Sequence, residues 1–249
     1  MKQRFQGKQH ARHAIWERLA SEKIARFPFP PHGRIPNFAG AKEAAERLFH
    51  IPCFRKAKRI KVNPDAPQRY VRELALQRGI TVYVPSPRLR AGFTRFDPKK
   101  IPKHKLSEAA SLSKGSKWGE KIPLDELPQM DAIVTGSVAV TPDGHRCGKG
   151  EGYSDLEYGI LRELGHLPVP VATTVHAIQL VESFPRTPTD LPLSYIVTPD
   201  RTIQVKHPPP PPKRIEWTRL TEENLEQMPV LKDLKKIQSR LTRPVRKPS

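Results

Sequence analysis

Apolar positions along the chain recur with two different periods, and the alternation between those periods predicts the architecture. From Lys8 to about Arg26, Ala11, Ile15, Leu19 and Ala20 fall at helical spacing, so the first element is expected to be a helix ending before the extended FPFPPHGRIP. A second helix starts after Gly40 in GAKEAAERLFHI, with Ala44, Ala45, Leu48 and Phe49 on its apolar side and Pro52 as its stop. AKRIKVNP then reads as a strand, APQRYVRELALQRG as a helix closed by Gly79, and ITVYVPSP as a β-branched strand. Together they make one βαβ unit. Between Arg88 and Pro128, Lys, Pro, Ser and Gly dominate, and the pattern supports only loops and a short helix near KLSEAASLS. DAIVTGSVAVT is a near-continuous apolar run, as expected of a strand buried on both faces. A glycine loop follows, then a helix over 154–164, a strand region in VPVATTVHAIQLV, a strand in LSYIVTPD and a short edge strand in RTIQVKH.

This alternation predicts an α/β fold of three layers, a mainly parallel sheet with helices on both faces, spanning residues 1–206. Residues 207–249 are set apart by HPPPPPKR, a polyproline II spacer that reads as a stiff linker. After it, TEENLEQMPVLKDLKKIQSRL has helical spacing and TRPVRKPS is a basic end. No internal repeat is visible.

Charge changes the picture more than hydropathy does. Lys and Arg total 44 against 25 Asp and Glu, a formal net charge of +19. Anionic partners are favoured: nucleotides, phosphorylated or polyglutamylated metabolites, or nucleic acid. The two cysteines, Cys53 and Cys147, lie far apart without CxxC spacing, which argues against a disulfide framework or a zinc ribbon. The amphipathic start MKQRFQGKQHARHAIWERL lacks the apolar core of a signal peptide, and no run nears the roughly 18 apolar residues of a membrane span. A soluble, cytoplasmic protein with no membrane partner is expected.

The chemistry concentrates in GKGEGYSDLEYG. This is neither a P-loop nor a dinucleotide fingerprint. Gly148, Gly150 and Gly152 alternate instead, so every second residue is free to take positive φ and turn its N–H toward an anion. Ser154 and Glu157 form an S-x-x-E capping box that would start a helix at Ser154, directly after the glycines. Free N–H groups and the helix dipole would then act together on an anion, with Arg146 and Lys149 beside it. From spacing alone, a phosphate cradle and a plain strand-to-helix turn fit equally. Asp155 suits a first helical turn as well as it suits a Mg²⁺ ion. Cys147 is a reactive thiol or a small apolar filler, the latter being the commoner case. His10 and His13 share a helix face but read as surface residues, and Trp118 and Trp217 as packing residues.

DAIVTGSVAVTPDGHRCGKGEGYSDLEYG resembles the signature of the 5-formyltetrahydrofolate cyclo-ligase family, and RIPNFAGA, VNPDAPQ and VPSPRLRAG resemble further motifs of its methenyltetrahydrofolate synthetase domain-containing subgroup. The likeness covers roughly residues 8 to 235. It implies an enzyme that uses ATP to phosphorylate the formyl oxygen of 5-formyltetrahydrofolate. A neighbouring nitrogen then closes the ring to 5,10-methenyltetrahydrofolate. It also implies site residues. Lys8 and Arg12 match a basic pair on the N-terminal helix that binds ATP phosphates. Arg146, Cys147, Gly148, Lys149, Gly150, Glu151, Gly152, Tyr153 and Ser154 match the ATP loop, with Arg146 and Lys149 stabilising the transferring phosphoryl group. Asp155 and Asp190 match two Mg²⁺ aspartates, Thr189 standing where the second motif has His. On the folate side, the usual glutamate-bearing loop reads VNPDAPQRY, which leaves Asp65 as its one acid and candidate substrate contact. The family's second loop aromatic is Ser154 here, and the basic residue that usually follows the Mg²⁺ aspartate is Leu156. Two other functions stay open: an ATP-dependent enzyme with another small substrate, and a basic RNA-binding protein on the same scaffold. The Lys-rich 99–117 region and the basic end motivate the second, while the lack of an RNP-type aromatic motif counts against it.

Overall fold

The structure, a computed structural model, describes residues 3–111 and 113–241, so the basic end over 242–249 lies outside the described residues. Eight strands form the central sheet: β1 (Arg59–Val62), β2 (Thr81–Pro85), β3 (Phe93–Phe96), β4 (Glu120–Ile122), β5 (Ala132–Thr135), β6 (Val171–Thr174), β7 (Tyr195–Val197) and β8 (Thr202–Gln204). Their spatial order is β8-β7-β6-β5-β1-β2-β3-β4. The five inner strands from β7 to β2 pair in parallel, and the remaining strands at both edges pair antiparallel. The longer helices are α1 (Lys8–Ser21), α2 (Ala41–Leu48), α3 (Arg69–Gln77), α4 (Tyr153–Glu163) and α5 (Pro229–Leu241).

The period-2 alternation of the inner strands separates two cores. Ala132, Val134, Val82 and Val84 face α2 and α3, packing with Leu48, Val71 and Leu76. Ile133, Tyr83, Val171 and Ile196 face the opposite side, where Tyr158 and Ile160 of α4 and Leu231 and Leu234 of α5 cover them. Three layers follow because each inner strand is apolar on both faces and must be covered twice. A smaller cluster sits under α1, from Ala11, Ile15 and Leu19 to Val138 and Cys147. Among the described residues, no helix is long and apolar enough to cross a membrane.

Several expected elements end elsewhere. The first helix stops at Ser21, five residues before Arg26, in a Schellman turn: the Lys23 amide donates to Ala20 O (3.1 Å) and the Ile24 amide to Leu19 O (3.0 Å). Lys23 takes φ 55° there, and the chain continues into a two-residue strand, Ala25–Arg26, paired with Asn37–Phe38. The apolar run 131–141 is not one strand. It leaves the sheet at Gly136, and Ala139–Val140 turn away to pair with Arg146–Cys147. A Cβ at Gly136 would lie 2.8 Å from Asp65 Oδ2 and 2.9 Å from Ile35 Cγ2, so only glycine fits where the chain departs. Between Arg88 and Pro128, β3 and β4 add an antiparallel edge that the Lys- and Gly-rich composition concealed. In that region Lys100 pairs with Glu120, and Lys105 and Lys117 both pair with Glu108. The C-terminal helical stretch divides at Met228, because Pro229 lacks the N–H that would continue Glu222–Gln227 and instead opens α5.

Candidate functional site

Sheet order reverses between β1 and β5: β2 lies to one side of this pair and β6 and β7 to the other. Such a switch leaves a crevice beyond the carboxyl ends of the strands. Here the segments leaving β1 (Asn63–Asp65) and β2 (Ser86–Arg88) and the glycine loop line a cavity of about 440 Å³. It also gathers Lys8, Arg12, Arg146, Cys147, Tyr153, Ser154, Asp155 and Asp190, so every site residue expected from the sequence meets in one place.

The loop is built for an anion by its backbone. Gly150 (φ 117°) and Gly152 (φ 71°) take conformations that side chains strain to adopt. Among the described residues, no amide from Gly148 to Ser154 donates a hydrogen bond to the protein. The helix does not start as the capping box predicts. Gly152 is the N-cap of α4 and offers no side-chain cap, so the first amides of the helix stay free. Ser154 and Glu157 are drawn into a different network. Buried Lys61 on β1 pairs with buried Glu157 and donates to Asn63 Oδ1 at 2.7 Å, while Asn63 Nδ2 donates to Ser154 Oγ at 2.9 Å. This chain fixes the start of α4 to the end of β1.

Cations converge from α1 and from the loop. Arg12 Nε donates to Gly148 O at 2.7 Å and clamps the loop, and a Cβ on Gly150 would touch the Arg12 guanidinium at 3.5 Å. Lys149 pairs with Glu151 at 2.8 Å. Arg146 is buried, with Nη2 2.6 Å from Asp155 Oδ1 and an Nε–H that has no protein partner. Lys8 bridges both oxygens of Asp190 at 2.5 and 2.6 Å.

The two aspartates are neighbours but differ in freedom. Asp155 Oδ1 accepts from Arg146 and from the Leu191 amide (2.9 Å), leaving Oδ2 without a partner among the described residues. Asp190 spends both oxygens on Lys8 and on the Thr187 amide (2.8 Å) and hydroxyl (2.9 Å). Burial pushes the Asp190 carboxyl up, but Lys8 and Thr187 together hold it below the usual range. A Mg²⁺ ion that keeps most of its waters fits Asp155 Oδ2. Asp190 as arranged here holds Lys8. Among the described residues, no three His, Cys, Asp or Glu side chains stand close enough to form a metal centre.

Asp65 lines the cavity; burial pushes its carboxyl up, with Lys149, Arg72, Lys61 and its own backbone amide opposing. Cys147 is buried, and burial likewise raises its thiol, which favours the apolar filler over a reactive sulfur. His13 is exposed on α1, its ring 6.2 Å from that of His32 and tilted by 59° to it. Trp118 and Trp217 pack against the two main cores, each donating its Nε1–H to a glutamate. Sequence reasoning missed Lys61 and Asn63. Their signal was a lysine in an otherwise apolar strand, RIKV, followed by Asn.

Residues 5–199 match the model of the 5-formyltetrahydrofolate cyclo-ligase family. The chain belongs to that family. Among curated relatives, the methenyltetrahydrofolate synthase domain-containing protein of Mus musculus is 42% identical over 235 residues, covering 92% of this chain and 63% of the relative. The Homo sapiens protein of the same name is 37% identical, covering 92% and 61%. The chain thus spans less than two thirds of the length of these relatives. The NMR structure of Aquifex aeolicus 5,10-methenyltetrahydrofolate synthetase shares the cyclo-ligase fold, with a TM-score of 0.50 at 15% identity over 80% of this chain and 93% of that one.

Proposed function

We propose that the protein is an ATP- and Mg²⁺-dependent cyclo-ligase acting on 5-formyltetrahydrofolate. One observation carries the reading: a run of unengaged loop amides, from Gly148 to Ser154, ringed by Lys8, Arg12, Arg146 and Lys149 in a single crevice. That is the equipment phosphoryl transfer needs, since its catalysis is mostly positioning and charge stabilisation. In this reading the γ-phosphoryl group passes from ATP to the formyl oxygen. The adjacent nitrogen attacks the formyl carbon, and phosphate leaves with that oxygen.

Each of these residues has a part. The amides of Gly150 to Ser154 and the Arg12-clamped loop hold the phosphates, Lys149 and Arg146 offset charge developing on the transferred group, and Asp190 keeps Lys8 turned into the cavity. Asp155 Oδ2 would hold the magnesium ion, which when bound screens the phosphate oxygens. Asp65 faces the acceptor, where its oxygens suit the N–H donors of a pterin. A second reading, with a different formylated acceptor, draws on VNPDAPQRY, where Asp65 is the one acid of the loop that carries a glutamate elsewhere in the family. The two separate in one assay of ADP release and methenyl absorbance with and without 5-formyltetrahydrofolate. Folate-stimulated turnover is expected in the parent. Lys149→Ala should lower kcat by on the order of 10² to 10³, the usual cost of one charge-stabilising donor. ATP binding without folate-stimulated turnover would leave the site and refute the substrate.

A further inference from the structure

A second cavity of about 260 Å³ opens beside the first and shares Glu151, Gly152, Tyr153, Asp155 and Thr189 with it. Its far wall is made by the segment after the polyproline run, between Pro212 and Met228, outside the residues 5–199 that match the family. That wall is fixed firmly. Glu163 of α4 accepts from the Ile215 amide (3.0 Å), from Trp217 Nε1 (3.2 Å) and from Gln238 Nε2. Gly159 allows the approach, since a Cβ there would lie 2.7 Å from Ile215 Cγ1.

The lining combines apolar surface with one unspent charge. Leu156, Ile215, Leu220 and Met228 supply the apolar surface beside the Tyr153 ring. Of the charged groups, Asp155 is paired with Arg146, Glu151 with Lys149 and Glu216 with Arg219 at 2.8 Å. Arg214 alone among the lining charges has no hydrogen bond or ion pair among the described residues. A planar guanidinium at the rim of an apolar slot is suited to bidentate capture of a carboxylate.

We propose that the C-terminal segment completes a second ligand subsite, which takes a small aromatic or apolar group bearing a carboxylate, with Arg214 as its counter-ion. The volume holds one ring and a short acidic arm. Because the two cavities meet at Tyr153 and Asp155, one acceptor can lie in this subsite while its reacting end reaches the phosphate cradle. That last point rests on the phosphoryl-transfer reading, whereas the subsite itself does not.

Calorimetric titration of the full chain with 4-aminobenzoyl-glutamate, alone and with a non-hydrolysable ATP analogue already bound, tests the proposal. Saturable binding is expected in both cases. Arg214→Ala should weaken the probe about tenfold or more, the loss of one charge-assisted pair, and leave analogue affinity unchanged. Lys8→Ala should do the reverse. The proposal is overturned if the probe does not bind, if Arg214→Ala leaves its affinity intact, or if the analogue displaces it. Arg214-dependent probe binding in a protein that ignores the ATP analogue would support the subsite and refute only the phosphoryl-transfer reading.

Discussion

At the scale of single residues, the Lys61–Glu157 pair sets the geometry on which the site depends. Both side chains are buried, and burial pushes the Glu157 carboxyl up against the pull of Lys61. Removing one partner strands a charge in the core, so Glu157→Gln should cost about 3 to 5 kcal/mol in urea unfolding. Replacing both, as Lys61→Met with Glu157→Leu, should return stability to within about 2 kcal/mol of the parent. A double variant as unstable as the single one would refute this. Asp190 carries a pH signature of the opposite kind. Its folded pKa lies below the unfolded value, so the tie to Lys8 stabilises the protein above about pH 4 and is lost as pH falls through the lower folded value. Hydrogen-exchange protection of α1, taken relative to the intrinsic rate at each pH, should therefore fall on acidification in the parent, and in Asp190→Asn it should already be low at neutral pH. The loop glycines, Arg146, Lys149 and Asp155 stood out in the sequence because they share one short motif, whereas Lys8, Arg12 and Asp190 were expected only from the family resemblance. The Lys61 pair was not. Glu157 already had a sufficient local explanation as a cap, and its true partner lies 96 positions away.

At the scale of elements, what was readable depended on how completely a segment is buried. The inner strands and α2 to α4 announce themselves through regular apolar spacing, because each must satisfy a core. β3 (FTRF) and the edge strand β4 (EKI) are only four and three residues long and carry Arg, Glu and Lys among their apolar positions, so they leave no clear period. Helix ends were misjudged for a related reason: α1 stops at a left-handed lysine, where sequence rules look for glycine. That choice has a measurable cost. Lys23→Gly should raise unfolding stability by about 0.5 to 1 kcal/mol, since glycine takes φ > 0 without steric penalty. An unchanged or lower denaturation midpoint would contradict the Schellman account of this terminus.

At the scale of the whole molecule, a net charge of +19 surrounds a crevice whose purpose, in the proposed reading, is to admit a polyanion. Long-range attraction should quicken nucleotide capture at low salt, and screening should remove it as the Debye length shrinks from about 30 Å at 0.01 M to about 3 Å at 1 M. Stopped-flow association of a fluorescent ATP analogue is expected to slow by about tenfold or more across that range, and a flat profile would separate the surface charge from the crevice. The overall α/β plan was readable from alternation alone, whereas the joining of α1 to the loop required the folded chain. That joining governs timing during synthesis. Arg12 meets Gly148 across 136 positions and Lys8 meets Asp190 across 182, so α1 leaves a ribosome long before the residues that these two cations hold. A nascent chain halted before residue 190 would lack the Lys8 tether, and in the proposed reading nucleotide would add its protection only to chains released after that point.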